Sequence, residues 1–295
     1  MCAMDGISPA KKFLSALNAE SPLQIVGTVN AYSAILAKNA GFKAIYLSGA
    51  GVANASYGLP DLGITNLDNV LIDVRRITSA VDLPLLVDID TGFGSILNVA
   101  NSVKEICRAG ACGVHLEDQV TSKRCGHRDG KKLISTDEMC QKIKTAKQTV
   151  TNTNNQLDPS FIIMARTDAV ANEGIDSAVD RAQQYIDAGA DMIFIEAITD
   201  ITDYSYFTSK VSVPVLANIT EFGKTPLYSL EELKESGIKM ALYPLSAFRG
   251  MNKVAKNIYG AIRDNGSQKN MIDIMETREE LYENLDYIKF EQKLD

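Results

Sequence analysis

Asp88 and Asp90 close an apolar run, Leu83 to Asp90, in which alternating side chains put both carboxylates on one side of a strand. A helix cap in the following loop would account for one such carboxylate, not for two on one face. With Glu117 nearby they form a hard oxygen site suited to Mg²⁺ or Mn²⁺, ions that keep waters and use few protein ligands. Zinc fits less well. His115 and His127 are the only histidines, His115 falls inside a strand and reads as a barrel-wall residue, and Cys125 with His127 is too small a set for a closed cage.

The segment 119–134 is the other unusual feature. It carries Lys123, Arg124, Arg128, Lys131 and Lys132 in an acidic protein, with Gly126 and Gly130 as hinges. Long loops of this kind serve as lids, and these cations would meet an anionic substrate. A merely solvated basic loop would not need Cys125 wedged between Arg124 and Gly126. The neighbouring cations are expected to favour its thiolate and raise its reactivity.

Eight apolar runs of strand length must position these residues: Gln24 to Val29, Ala44 to Ser48, Leu83 to Asp90, Gly113 to Glu117, Phe161 to Thr167, Met192 to Glu196, Val213 to Ile219 and Met240 to Tyr243. Helix-period segments lie between them, including Leu67 to Ser79, Leu97 to Arg108, Asp137 to Val150, Ser177 to Ala188 and Leu230 to Glu235, with Asn66 and Ser135 as caps. A quasi-repeat marks four helix-to-strand junctions, where Gly41, Gly110, Gly189 and Gly237 each end a helix and two residues lead into a strand. Strict alternation means a parallel sheet, and eight units predict an α/β (β/α)₈ TIM barrel, with an open doubly wound sheet as the alternative. The apolar runs end in Ser48, Asp88, Asp90, Glu117, Asp118, Arg166, Asp168, Glu196 and Asn218, so reactive side chains gather at the carboxyl ends of the strands. The barrel is expected over 1–265. Residues 266–295, helical from Met271 to Glu280, form an arm that packs on another subunit or else a solvated terminal helix.

Of 295 residues, 45% are hydrophobic and 23% charged, enough for a large core. A net charge of −7 argues against a nucleic-acid or anionic-membrane binder. No stretch approaches a bilayer span, and Met1 to Lys12 lacks a secretory core, so a cytoplasmic location is expected. Five cysteines without paired spacing predict reduced thiols, with Cys2, Cys107, Cys112 and Cys140 as packing residues.

The sequence resembles the isocitrate lyase and phosphoenolpyruvate mutase superfamily, and within it the methylisocitrate lyases. Lys123-Arg-Cys-Gly-His127 is similar to the superfamily's lyase signature. Leu47-Ser-Gly-Ala-Gly51, Gly58-Leu-Pro-Asp61, Val87-Asp-Ile-Asp-Thr-Gly-Phe-Gly94 and His115-Leu-Glu-Asp-Gln119 resemble methylisocitrate lyase blocks. So do Met164-Ala-Arg-Thr-Asp168, Asn218-Ile-Thr-Glu-Phe222 and Tyr243-Pro-Leu-Ser-Ala-Phe-Arg249. The likeness covers almost the whole chain.

It implies a homotetramer whose C-terminal helices swap between neighbours. It implies Mg²⁺-dependent retro-aldol cleavage of a tricarboxylate, 2-methylisocitrate, to pyruvate and succinate, a step of propionate catabolism through the methylcitrate cycle. Asp88 and Asp90 would hold the metal. Ser48, Gly49 and Ala50 would bind the pyruvyl end with Arg166; Ala50 stands where the family often has glycine. Cys125, Gly126, Glu196, Asn218, Ile219, Thr220 and Arg249 would surround the other carboxylates, joined by Arg278 of the arm. Cys125 would protonate the carbanion, tuned by Glu117, His127 and Lys123. The base for the hydroxyl stays open among Asp61, Tyr46 and a metal-bound hydroxide. Isocitrate lyase is the nearest rival, although usually a longer chain. The phosphoenolpyruvate mutase and oxaloacetate hydrolase activities share the pyruvyl pocket, and a non-catalytic metabolite-binding barrel is the reading from another class.

Overall fold

The computed structural model describes residues 6–294. Eight parallel strands follow one another around a closed barrel: β1 Leu23–Gly27, β2 Ala44–Leu47, β3 Leu85–Asp88, β4 Gly113–Glu117, β5 Ile162–Thr167, β6 Met192–Ile195, β7 Val215–Asn218 and β8 Met240–Tyr243. β1 pairs with both β2 and β8, so no sheet edge is left open. All eight expected runs are strands. β3 and β7 begin two residues later than their apolar stretches because Pro84 and Pro214 cannot donate to the ladder.

Strand parity divides the core into two layers. Ile45, Leu47, Leu85, Val87, Val114, Ile163 and Ile193 face outward to the helices. Leu23, Ile25, Leu86, Ile162, Met164, Met192, Phe194, Leu216 and Met240 fill the barrel. Side chains repeat every second residue, so the inward rows continue past this apolar floor to Asp88, His115, Glu117, Arg166, Glu196 and Asn218. The rule that packs the barrel thus aims the polar residues into its mouth.

The helices are seated by apolar stripes. Leu67–Ala80 buries Val70, Leu71, Val74 and Ile77, and each such side chain contributes roughly 1.5–3 kcal/mol of burial, so packing outweighs helix propensity here. Asn66 caps this helix by accepting the Asn69 N–H, and Ser135 caps Thr136–Thr151 by accepting that of Glu138. The four expected helix stops all take left-handed backbone, with φ of 92° at Gly41, 91° at Gly110, 110° at Gly189 and 82° at Gly237.

The helix after β8, Ser246–Asn265, is different: none of its residues is buried. Beyond it the chain is not one helical stretch. A 3₁₀ turn, Lys269–Ile274, ends at an extended Met275, and Thr277 with Glu280 builds a capping box that starts a new helix, Arg278–Asn284, followed by Tyr287–Glu291. Tyr32 donates to Glu276 and Asn39 to Asn284, tying this tail to the helix Ala31–Asn39. Among the described residues no helix is long and apolar enough to cross a membrane.

Barrel closure leaves no room at Gly27, where an added Cβ would lie 1.7 Å from the Pro244 carbonyl oxygen. We expect Gly27→Ala to destabilise the protein by about 3 kcal/mol, the upper range for overpacking, seen as a lower urea midpoint at an unchanged slope.

Candidate active site

The acid pair is assembled differently from what strand alternation alone would give. β3 ends at Asp88, and Asp90 lies outside it in a left-handed conformation, φ 49°. Asp88 Oδ1 accepts the Asp90 N–H at 2.9 Å, which folds the turn back so that both carboxylates border Gly49. Asp88 Oδ2 accepts the Gly49 N–H at 2.9 Å. That occupies one donor expected for substrate and leaves Ser48 and Ala50 among the residues lining the cavity.

Burial pushes Asp90 up to about 6, with the charge of Asp88 adding to the effect and Lys123 opposing it. Burial acts on Asp88 too, but the positive charges of Lys123 and Arg166, together with the Asp90 N–H, hold it down at about 2. Burial also raises Glu117 well above the carboxylate range, and its Oε2 has no hydrogen-bond partner, though Arg166 Nε lies 3.4 Å away. Asp61, Asp88, Asp90, Glu117, Asp168 and Glu196 therefore crowd around Lys123, Lys131 and Arg166 with negative charge to spare. This donor set fits a hard divalent cation. Among the described residues no three His, Cys, Asp or Glu side chains are arranged as a metal cage, as suits Mg²⁺, which takes one or two carboxylates and completes its shell with water and substrate.

Behind the acid pair, Tyr46 Oη lies 2.8 Å from His115 Nε2 and donates to Asp88 Oδ2 at 3.4 Å. The two rings stack at 5.6 Å. Burial lowers His115 to about 4, so it is a neutral wall residue as expected, and also a buttress for Tyr46. Burial raises the Tyr46 phenol well above its ordinary range, chiefly because the buried anion is disfavoured, with Asp88 adding repulsion.

Segment 119–134 lies across the mouth. Lys123 is buried, its ammonium 2.7 Å from Asp61 Oδ1 and 2.5 Å from Asp90 Oδ1. Burial alone would lower it, but Glu117, Asp90 and Asp61 keep it charged. Gln119 fixes Arg124 by donating to its carbonyl and accepting its N–H, while the Arg124 guanidinium turns toward the Asp129 carbonyl. The cations flanking Cys125 are thus committed elsewhere. Burial, reinforced by Asp61 and Glu196 against the pull of Arg166, pushes the thiol up. The expected thiolate is therefore corrected to a protonated thiol. His127 Nδ1 accepts the Lys224 N–H at 3.0 Å, so the ring proton sits on Nε2, 3.3 Å from Glu196 Oε1. Burial keeps the ring neutral.

Arg166 lies over the Phe194 ring, its Cζ 4.9 Å from the centroid. It donates from Nε to Asp168 Oδ2 at 2.9 Å and from Nη2 to Asp168 Oδ1 at 3.2 Å, with Glu196 Oε2 at 3.1 Å. Burial would raise Asp168, but Arg166 and Lys131 hold it at about 2. Asn218 donates to Glu196. Arg249 is partly exposed beside Glu221 and the Phe222 ring.

These groups surround a cavity of about 240 Å³, lined among others by Tyr46, Ser48, Ala50, Asp61, Asp88, Lys123, Cys125, Gly126, His127, Arg166, Glu196, Asn218, Thr220 and Arg249. Three expected contacts are not brought there, the first being Gly49, whose N–H goes to Asp88. Ile219 is packed in the outer apolar layer and spends its N–H on the Leu242 carbonyl, because it has the opposite parity to Asn218. Arg278 is exposed on the tail, away from the mouth of its own barrel. Roles that sequence reasoning did not assign belong to Asp168, Lys131, Gln119 and Phe194. The Arg-Thr-Asp spacing at the end of β5 was the available signal for the Asp168 fork, because residues i and i+2 share a face. A larger groove, about 580 Å³, lies where β3 and β4 begin, beside Lys12, Arg75, Asp82 and Arg108. Barrel chemistry resides at the other end.

Residues 13–263 match the family model described as phosphoenolpyruvate phosphomutase. The 2-methylisocitrate lyase of Escherichia coli (strain K12) is 56% identical over 289 residues, covering 98% of this chain and 96% of that one. The structure of 2,3-dimethylmalate lyase superposes with a TM-score of 0.88 at 30% identity, covering 98% and 95% of the two chains. Phosphonopyruvate hydrolase in complex with oxalate and Mg²⁺ superposes at 0.83 with 27% identity, covering 97% and 98%. The chain belongs to the phosphoenolpyruvate phosphomutase family, on the branch formed by the 2-methylisocitrate lyases.

Proposed function

We propose that this chain cleaves 2-methylisocitrate to pyruvate and succinate with Mg²⁺, or Mn²⁺ in its place, bound at Asp88 and Asp90. The observation that carries the reading is a neutral thiol, Cys125, held by a lid over the cavity that Asp88 lines beside the Lys123 paired to Asp90. The oxalate and Mg²⁺ complex of phosphonopyruvate hydrolase supports the metal, oxalate being a small diacid of the pyruvyl type. When bound, Mg²⁺ acidifies the substrate hydroxyl and stabilises charge on the nascent pyruvate oxygen.

The protein supplies the rest. Ser48, the Ala50 backbone and Arg166 hold the pyruvyl end. Asn218, Thr220, Arg249 and the Nε2–H of His127 bind the remaining carboxylates, charge-assisted contacts that gain strength in a site shielded from water. Asp61, with one oxygen on Lys123, takes the hydroxyl proton, since Tyr46 remains a phenol. The C2–C3 bond then breaks, its electron pair moves into the succinate-side carboxylate, and Cys125 returns a proton to that carbon. Isocitrate lyase activity is the competing reading, and the same assay separates the two.

We further propose a homotetramer in which the barrel, 1–265, exchanges its C-terminal arm with a neighbour. The exposed surface starts earlier than residue 266, because Met251, Tyr259 and Ile262 of the helix after β8 are uncovered along with Ile272, Ile288 and Phe290. Arg278 would then reach a neighbouring mouth. The four described cysteines are free, as fits a cytoplasmic location; Cys2 lies outside the described residues.

Pyruvate release from 2-methylisocitrate should exceed glyoxylate release from isocitrate, and Cys125→Ser should lower kcat by about 10²–10⁴-fold, the span of general acid catalysis, while retaining metal binding; unchanged kcat removes the acid role. Because the thiol is raised above its ordinary 9.0, Cys125 alkylation by iodoacetamide should climb only as pH passes above that value, and a midpoint near 7 would contradict the protonated resting state. Light scattering should give a mass near four times 32.1 kDa, and truncation after Asn265 should give a smaller species.

A further inference from the structure

Lys131 sits at the far limb of the lid, yet its side chain is only 1% exposed. A buried ammonium is tolerated when its donors are satisfied, and this one has two acceptors on different parts of the fold. It donates to the Gly126 carbonyl at 2.6 Å and to Asp168 Oδ1 at 2.7 Å. Oδ1 is also the oxygen that receives Arg166 Nη2, while Oδ2 receives Arg166 Nε. Gly126 is packed so closely that a Cβ there would lie 2.3 Å from Arg166 Nη2 and 2.7 Å from Glu196 Cγ. The lid backbone therefore touches the guanidinium on one side and is tethered through Lys131 to its carboxylate partner on the other. Asn172 holds the tether's base by donating to the Lys131 carbonyl at 2.9 Å.

We infer that Lys131 is a positioning residue that latches the lid and makes closure and the aiming of Arg166 a single event. A lid that lifts carries the Gly126 carbonyl off the ammonium, exposes an ion pair that was dry, and frees the Asp168 fork to rotate. A closed lid restores both acceptors, presents Cys125 to the cavity and fixes the Arg166 fork. Gly126 has no side chain because the latch draws its backbone against Arg166.

This inference assigns Lys131 within the site whose reaction is proposed above, and its first test needs no substrate. Iodoacetamide labelling of Cys125 is followed by peptide mass mapping in the full-length wild type and in Lys131→Met. Loss of the latch should raise the ligand-free labelling rate about tenfold, as expected when a local opening costs one decade less. Charge cannot produce that change, since removing a cation disfavours the thiolate and slows labelling. With substrate, kcat should fall at least as much while KM moves less, because closed complexes become rarer. If Lys131→Met does not melt cooperatively, Asn172→Ala, which keeps the charge pair and removes only the support, should accelerate labelling severalfold. Equal labelling rates in wild type and a folded variant would overturn the latch whatever the substrate proves to be.

Discussion

The structure depends on neutralising ionised groups that the barrel cannot leave in water. Removing a charge from water costs several kcal/mol even after relaxation, and a lone buried charge would sooner change its protonation state. Arg166 meets this constraint by lying on Phe194 with Asp168 and Glu196 at hydrogen-bond distance. Asp168 is shared with Lys131, and Lys123 bridges Asp61 and Asp90. Two of these three cations come from one loop. The loop 119–134 is thus part of the charge balance of the mouth, and on the latch inferred above its docking would be coupled to that balance.

That coupling explains why Cys125 has the opposite protonation state to the one its neighbours suggest. Along the chain it is flanked by Arg124 and follows Lys123. In space Lys123 is consumed by Asp61 and Asp90, and Arg124 is held by Gln119. Around the thiol, burial with Asp61 and Glu196 favours the neutral form and outweighs the opposing pull of the His127 N–H and Arg166. Sequence proximity to charge is a poor guide wherever the charged groups have nearer partners.

Much of the fold was legible because its signals are local. Eight strand-length runs, glycines at four helix ends and caps at Asn66 and Ser135 are properties of short windows, and parity then directs Asp88, Glu117, Arg166 and Asn218 inward. The site was legible where parity sufficed. It was not at Asp90, where a left-handed turn does the placing, nor at Ile219, whose parity sends it outward. Lys131 was visible only as one cation among five in a loop, because its two acceptors, at 126 and 168, are fixed by the lid's closed path.

The helix after β8 poses the same question at the scale of assembly. Helices such as Leu67–Ala80 and Ile96–Arg108 bury stripes against the strands, but Ser246–Asn265 buries none, although it carries an amphipathic sequence with Met251, Tyr259 and Ile262 on view. A surface of that kind is stable in water only when covered, and it is continuous along the chain with the tail that bears Arg278. Exchange of this element between subunits would cover the apolar face and deliver a cation to a neighbouring anion-binding mouth. Oligomerisation and substrate recognition would then draw on the same C-terminal segment, from Ser246 onward. An acidic chain would in this way gather its scarce positive charge at the one place where its substrate needs it.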